Sequence, residues 1–276
     1  MTFDVAGEAY DRFMGRYSRP LAGALTDWLD VRAGERALDV GCGPGAWTEH
    51  LVQRLGAGRV SAVDPSPSFV DACRERFPVV DVRQGSAESL PYGDASFDLA
   101  GACLVVHFMA DPAAGIAEMA RVTRPGCWVG ATVWDLAGER APMAPVWSAL
   151  AAVGPAQAAP SGERSLPGGA AGQLEELFVG AGLHDVEGTE LAVTVTHPDF
   201  EEWWEPYLHG VGPIGEAVAA LDEAGVQRLR EHCRAQLGDG PFEITAVAFA
   251  VRGRVASHDA GTTFRREPDG ARLSSS

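Results

Sequence analysis

One stretch near the amino terminus constrains the fold of this 276-residue chain more than any other: residues 37–47, with the sequence ALDVGCGPGAW. The apolar residues that lead into it predict a short buried strand over residues 36–40. Leu51 and Leu55 share one face of a helix that is predicted over residues 48–55. The order of strand, glycine-rich turn and helix is typical of a site for a nucleoside-bearing cofactor.

The glycines of this turn leave room for a ligand against the main chain. Gly41, Gly43 and Gly45 can adopt backbone angles that residues with a Cβ avoid, and unpaired amides at the start of the helix would face the ligand. Gly41, Gly43 and Ala46 also satisfy the dinucleotide fingerprint, with Asp64 as its ribose-binding carboxylate. The glycine pattern alone therefore leaves two cofactor classes open.

An acidic residue, Asp39, stands two positions before the first glycine. We expect it at the carboxyl end of the strand, where a negative charge is unfavourable beside a pyrophosphate but suits a ligand with an ammonium and a sulfonium. The order Asp39, Gly41, Gly43, Gly45 resembles the first motif of class I S-adenosylmethionine (SAM) methyltransferases. The resemblance implies SAM as the cofactor and contacts to it from Asp39, Gly41, Cys42 and Gly43.

Strands and helices are predicted to alternate along the rest of the chain. The predicted elements are strands over 59–63, 79–83, 127–133, 186–196 and 242–251, helices over 68–77 (capped by Ser66), 112–123, 145–153 and 174–181, an apolar run over 97–106, a turn at Arg124-Pro125-Gly126 and a loop or flap over 138–172. Such alternation indicates a parallel sheet that binds ligands at the carboxyl ends of its strands. Together with the resemblance it predicts an α/β, Rossmann-like, doubly wound and mostly parallel seven-stranded sheet with an α-helical substrate cap.

Asp64 and Pro65 follow the second predicted strand. A carboxylate at this place can accept hydrogen bonds from both hydroxyls of a ribose. A helix-capping role would explain Asp64 as well, but its position one strand after the glycine turn favours the cofactor. We therefore predict that both residues contact SAM.

Residues 84–92, with the sequence QGSAESLPY, extend the resemblance. They are similar to the adenine-binding segment of small-molecule methyltransferases related to the ubiquinone and menaquinone C-methyltransferases, a segment that dinucleotide enzymes lack. The resemblance assigns cofactor contacts to Ser86, Ala87 and Glu88. Relatives usually carry Asp in place of Ser86, so its bond to the adenine amino group is expected to be weaker, with Glu88 taking part of that role.

The end of the fourth predicted strand faces the methyl group in this family. By resemblance, Ala102 and Cys103 lie alongside the methionine part of SAM, and the turn after them faces the methyl-transfer site. His107 lies in this turn, where an imidazole that titrates near neutrality could remove a proton from the acceptor. His107 is thus the candidate catalytic residue and a candidate substrate contact, while packing of the ring is the alternative.

Residues 10–19, with the sequence YDRFMGRYSR, resemble the amino-terminal helix of one branch of these enzymes. That helix can fold over the cofactor. The resemblance then places Tyr10 and Met14 at the substrate, and Arg16 and Tyr17 at the methionine end of SAM, where an arginine could pair with the carboxylate. An amphipathic docking helix with exposed arginines explains the same residues, and both interpretations stay open.

Aromatic residues are dense in the sequence FEEWWEPY, which opens an insertion at about residues 198–240. We predict that Trp203, Trp204 and Tyr207 form one wall of an apolar substrate pocket. A cage for a methylammonium-type substrate is a sharper version of this prediction. The alternative is that these side chains form the cap's own core.

The domain prediction has three parts: a helical cap segment over residues 1–35, the SAM methyltransferase domain with its insertion over residues 36–256, and a disordered tail over residues 257–276. Neither a signal peptide nor an apolar run long enough to cross a bilayer is recognised, so the chain is predicted to be cytoplasmic, without a membrane partner. The five cysteines lack paired spacing, and no metal is predicted.

The charge of the chain bears on its partners. The net charge is −16 and every cationic side chain is an arginine, which argues against nucleic acid because phosphate binding needs a basic surface. We therefore predict transfer of a methyl group from SAM, with S-adenosylhomocysteine (SAH) as the product, to an oxygen, nitrogen or carbon of a small, partly apolar metabolite. The alternatives are a SAM-binding protein without methyl transfer and an NAD-dependent oxidoreductase. The sequence does not predict an oligomeric state.

Overall fold

A seven-stranded sheet forms the centre of the protein, in a computed structural model that describes residues 14–153, 165–210 and 212–257. The strands are β1 (Ala37–Val40), β2 (Val60–Asp64), β3 (Asp81–Gln84), β4 (Phe97–Cys103), β5 (Thr123–Trp134), β6 (His184–His197) and β7 (Phe242–Arg254). Their order across the sheet is β3-β2-β1-β4-β5-β7-β6.

Helices flank the sheet and also form a cap. They are α1 (Gly15–Trp28), α2 (Ala46–Leu55), α3 (Pro67–Arg76), α4 (Pro112–Val122), α5 (Ala144–Val153), α6 (Gln173–Gly180), α7 (Phe200–Trp204), α8 (Gly212–Ala219) and α9 (Glu223–Leu237). Short 3-10 helices cover Ala57–Arg59, Val106–Phe108 and Glu205–His209. Within the described ranges, every helix is too short or too polar to cross a lipid bilayer.

The order of the strands places the carboxyl ends of β2, β1 and β4 side by side. Strands β3, β2, β1, β4 and β5 are parallel, whereas β7 pairs antiparallel with both β5 and β6. Asp39 on β1 is in register with Ala62 on β2 and with Gly101 on β4. Chain connections diverge on the two sides of β1, which creates the crevice where doubly wound sheets bind ligands. The predicted fold class is confirmed.

The prediction of a turn at Arg124-Pro125-Gly126 is wrong. Helix α4 ends earlier, and β5 already begins at Thr123. The ladder of β5 with β4 shifts register between Phe97 and Leu99, and Gly126 has a φ of 79°. The segment is therefore a bulge inside β5, for which the glycine supplies the left-handed conformation.

The predicted capping role of Ser66 is also wrong. Ser66 occupies the N-cap position of α3, but its hydroxyl forms no capping bond. Its Oγ lies 2.9 Å from Oγ of Ser68 instead. Pro67 at the first helical position leaves this end of the helix with one amide hydrogen fewer in need of a partner.

The chain between β6 and β7 is helical and contains α7, α8 and α9. Its aromatic residues Phe200, Trp203, Trp204 and Tyr207 are at most 3% exposed. They belong to a core cluster that also includes residues of α1 and α5. The cap thus has a hydrophobic core of its own that is continuous with the packing of the amino-terminal helix.

Candidate cofactor site

The glycine-rich turn between β1 and α2 has the left-handed backbone that its sequence predicts. Gly41, Gly43 and Gly45 have φ angles of 73°, 53° and 96°. A Cβ built on Gly41 would lie 2.5 Å from Cγ1 of Val105, and one on Gly45 would lie 2.5 Å from the ring of Phe77. Nothing lies within 4 Å of a Cβ built on Gly43. The backbone at Gly43 therefore faces open space, which a ligand can occupy.

Asp64, at the end of β2, is tied to this turn. Its Oδ2 accepts a hydrogen bond from the amide of Gly43 at 2.9 Å, and its Oδ1 accepts one from the amide of Ser66 at 2.9 Å. Burial raises the pKa of the Asp64 carboxyl, and the two amide bonds oppose that shift. Each carboxylate oxygen can accept a further bond, so two hydroxyl groups can bind here.

Asp39 is the more deeply buried of the two acids of the site. Its Oδ2 accepts a hydrogen bond from Oγ1 of Thr48 at 2.6 Å. Burial raises the pKa of Asp39 to about 7; the bond from Thr48 opposes this shift and the charge of Asp64 adds to it. A buried carboxyl with so high a pKa would be stabilised in its charged form by a cationic ligand.

A cavity opens at the carboxyl ends of β1, β2 and β4. Its lining residues are Ser18, Asp39, Gly41, Cys42, Gly43, Pro44, Ala46, Trp47, Asp64, Pro65, Ser66, Phe69, Cys103, Leu104, Val105 and Phe108. The predicted cofactor residues among them are Asp39, Gly41, Cys42, Gly43, Asp64, Pro65 and Cys103. The structure thus brings together side chains that are far apart in the sequence.

Sequence reasoning missed several residues of this wall. Ser18 reaches it from α1, Phe69 from α3 and Phe108 from the turn after β4. Trp47 also lines the cavity, and its indole nitrogen donates to Oγ1 of Thr26 at 3.0 Å. Trp47 closes the glycine-rich stretch and Ser18 lies in the segment 10–19, but no pattern in the sequence marks these two side chains, or those of Phe69 and Phe108, as part of the cavity wall.

The predicted adenine-binding segment lies outside the lining set. The carboxylate of Glu88 accepts hydrogen bonds from the amides of Ala110 at 2.8 Å and Asp111 at 3.3 Å, and from the hydroxyl of Ser86. These bonds fix the segment beside the turn that follows β4. Contacts of Ser86, Ala87 and Glu88 with adenine remain a prediction.

His107 lies in the 3-10 helix after β4 and does not line the cavity. It is 7% exposed, and its ring centroid lies 3.9 Å from that of Phe108. Burial lowers the pKa of His107 to about 3. Its Nδ1 has no hydrogen-bond partner in the described part of the chain. Ala102, in the preceding strand, is also buried away from the lining set.

The predicted residues of α1 contact the cap rather than the cavity wall. Arg16 forms an ion pair with Glu202, and Oη of Tyr17 lies 2.8 Å from Nε2 of His197. Met14 belongs to the same core cluster as the cap aromatics. These contacts agree with a docking helix, and the predicted contacts of Arg16 and Tyr17 with SAM find no support in them. Tyr10 lies outside the described residues.

The predicted substrate-wall residues Trp203, Trp204 and Tyr207 are not among the lining residues of the cavity. The ring centroids of Trp203 and Tyr207 lie 5.1 Å apart, and Trp204 stacks on Phe200 at 6.1 Å. The ring of Trp203 also meets that of Phe242 edge to face at 6.1 Å. These aromatics pack mainly on one another, which favours the alternative that they form the core of the cap.

A comparison with protein families decides between the two cofactor classes. Residues 38–130 match the family described as a methyltransferase domain, and this range contains the glycine turn, Asp64 and the whole of β4. The domain belongs to the class I SAM-dependent methyltransferase family. SAM, and not a dinucleotide, is therefore the cofactor of this methyltransferase domain, and binding of SAM by the glycine turn stays a prediction. Kinship with the ubiquinone and menaquinone branch stays a prediction.

Curated relatives of the methyltransferase domain are similar over part of their length. An uncharacterised methyltransferase of Mycobacterium tuberculosis is 40% identical over 140 residues, which are 51% of this chain and 54% of that protein. The malonyl-[acyl-carrier protein] O-methyltransferase of Serratia marcescens is 39% identical over 124 residues, which are 43% of this chain and 48% of that protein. The chain thus spans about half the length of these relatives.

The fold of this chain is also found among solved structures. Phosphoethanolamine N-methyltransferase 2 of Haemonchus contortus, in complex with phosphomonomethylethanolamine and SAH, matches with a TM-score of 0.56. The match covers 93% of this chain and 59% of that chain, at 16% identity. At this identity the similarity concerns the fold alone.

Proposed function

We propose that this protein is a SAM-dependent methyltransferase that acts on an oxygen, nitrogen or carbon nucleophile of a small, partly apolar metabolite. The observation that carries the proposal is the cavity in which Asp39, the glycine turn and Asp64 converge, inside a methyltransferase domain. The open space at Gly43 and the buried acid at Asp39 both fit a cofactor that has a nucleoside and a cationic end.

Each residue of the site has a role in this proposal. Asp64 would accept hydrogen bonds from the ribose hydroxyls, the backbone at Gly43 would contact the ligand directly, and Asp39 would face its cationic part. SAM supplies an electrophilic methyl group on its sulfonium. The chain's contribution is to align the acceptor with that group and to exclude water. A dedicated base is needed only if the acceptor binds in its protonated form.

The cavity wall indicates the class of acceptor. Its β4 side is apolar and consists of Leu104, Val105 and Phe108, and Phe108 is 38% exposed. An acceptor that enters past these side chains must present apolar surface to them. Similar proteins include an O-methyltransferase and an N-methyltransferase, so the acceptor atom is left open.

Methyl-labelled SAM tests the proposal directly. The purified protein is incubated with labelled SAM and a panel of small phenols, carboxylic acids and amines, and the label is followed by mass spectrometry. We expect transfer to at least one acceptor class, and we expect it to be slower in Asp64→Ala when SAM is below saturation, because SAM binding is weaker in that variant. Tight SAM binding with no transfer across the panel would instead favour a SAM-binding protein without methyl transfer.

A further inference from the structure

A second cavity opens at the opposite edge of the sheet, where the parallel strands begin. Residues from the start of five strands line it, among them Arg36, Ser61, Asp81, Phe97 and Arg124. Its volume is about 360 Å³, within the range of small-molecule pockets. Doubly wound sheets bind their cofactors at the carboxyl ends of the strands, so this amino-edge cavity is separate from the candidate cofactor site.

The lining of the amino-edge cavity carries an excess of positive charge. It includes Arg36, Arg83 and Arg124, with Asp81 as the acid among them. Arg83 is fully engaged, because it donates to both carboxylate oxygens of Asp81, at 3.0 Å and 2.8 Å, and to the carbonyl oxygen of Pro91 at 2.7 Å. In a chain with a net charge of −16, a local positive surface indicates an anionic ligand.

The guanidinium of Arg36 forms neither a hydrogen bond nor an ion pair with any residue that the structure describes. Only the backbone of Arg36 is bonded: its amide donates to Oδ2 of Asp98 at 2.8 Å, and its carbonyl oxygen accepts from the amide of Asp98 at 2.8 Å. Arg124 forms an ion pair with the same carboxylate. Burial acts to raise the pKa of Asp98, but the bonds from Arg36 and Arg124 and the charges of both arginines hold it below its usual value. Two guanidinium groups therefore lie near one carboxylate, which neutralises only one of them.

The donors that remain at this cavity suit a phosphate group. Arg36 retains all its side-chain N–H groups, and Arg124 uses only Nη1 for Asp98 within the described ranges. A guanidinium binds two oxygens of one anion, so a tetrahedral dianion can meet two such groups, whereas a planar carboxylate is matched by one. A stacked aromatic ligand fits less well, because the guanidinium of Arg83 already lies 4.4 Å from the ring centroid of Tyr92.

We propose that the amino-edge cavity binds a phosphate group, inorganic or carried by a small metabolite, with the guanidinium of Arg36 as its main contact. The site is independent of the proposed function, since the cofactor residues lie at the other edge of the sheet.

NMR titrations of the isotope-labelled protein with inorganic phosphate and with glycerol 3-phosphate, at constant ionic strength, test the proposal. We expect both to bind; tighter binding of glycerol 3-phosphate would assign the site to a phosphorylated metabolite, and equal binding to inorganic phosphate. Arg36→Gln should weaken both by about tenfold, because charge-assisted hydrogen bonds are lost. The variant keeps the backbone bonds to Asp98 and should fold, which thermal melts check.

The matched control is Arg228→Gln, which changes the net charge equally at an exposed position of α9 and should leave both affinities unchanged. Saturating SAH should also leave them unchanged. Glycerate, which has a carboxylate in place of the phosphate, should bind more weakly than glycerol 3-phosphate. Equal losses in the two variants, no binding beyond that of chloride, competition by SAH, or equal affinity for glycerate would overturn the proposal.

Discussion

The phenol oxygen of Tyr17 lies 2.8 Å from Nε2 of His197, so the amino-terminal helix is bonded to the last residue of β6. Arg16 adds an ion pair to Glu202 on α7, and its Nη1 lies 3.3 Å from Nδ1 of His197. These contacts bury His197 between the helix and the cap. They also hold α1 against the cavity wall to which it contributes Ser18.

His197 should make the stability of the protein depend on pH. Burial, and next the charge of Arg16, lower its pKa from 6.5 to about 4. Between these values the unfolded chain binds a proton that the native His197 does not, so the free energy of unfolding should fall as the pH decreases from about 6.5 to about 4. Urea unfolding of the protein and of His197→Gln across this range measures the effect. The variant should lose this component of the slope, and equal slopes would contradict the prediction.

Asp39 should make the affinity for SAM increase with pH. The pKa of Asp39 is raised to about 7 without ligand, and a cationic ligand favours its ionised form. Binding should therefore release a proton, and affinity should increase from about pH 6 to about pH 7.5. Calorimetry in buffers of different ionisation enthalpy counts that proton. In Asp39→Asn, which retains an oxygen to accept the Thr48 bond, both the proton release and the pH dependence of affinity should disappear.

Gly41 and Gly43 offer a matched pair of substitutions. Alanine at either position strains a left-handed backbone by about 1–2 kcal/mol. Gly43→Ala adds only a methyl group in the open space of the cavity. The free energy of SAH binding should therefore decrease in magnitude by more than the free energy of unfolding does. Gly41→Ala brings its Cβ against Val105 and should lower the melting temperature further. Equal effects of the two variants on both stability and affinity would show that the ligand does not lie over Gly43.

His107 can be tested as a base by substitution. With its pKa lowered to about 3, the imidazole stays neutral near pH 7 and is a weak proton acceptor. We therefore expect His107→Leu to retain most of its conversion of SAM to SAH, measured per folded molecule with an accepted substrate. A drop of about a hundredfold or more with unchanged SAH affinity would instead establish the base role that the sequence predicts.

The cofactor motif could be predicted because its chemistry is local in the sequence. The positive φ angles at Gly41, Gly43 and Gly45 follow from a short turn between a buried strand and a helix, and Asp39 and Asp64 end adjacent parallel strands. Chain order and strand adjacency suffice for these predictions. That is why much of the cavity wall could be predicted from the sequence, whereas the prediction of seven strands also needed the family resemblance.

The remaining residues depend on tertiary packing. The direction of Ser18 follows from how α1 docks on the cap, which a helical pattern does not specify. A cap core and a pocket wall would both be rich in aromatic residues such as Trp203 and Trp204, and the burial of these two side chains favours the core. The Arg124-Pro125-Gly126 segment has turn chemistry, which a bulge within a strand requires as well.

Binding of SAM and NADH, measured side by side by calorimetry, tests the central claim most directly. The account predicts binding of SAM and SAH and none of NADH. It also predicts that Asp64→Ala weakens SAM binding by about 2 kcal/mol, because charge-assisted bonds to the ribose are lost. Binding of NADH without binding of SAM would contradict the account, and unchanged SAM affinity in Asp64→Ala would remove Asp64 from the site.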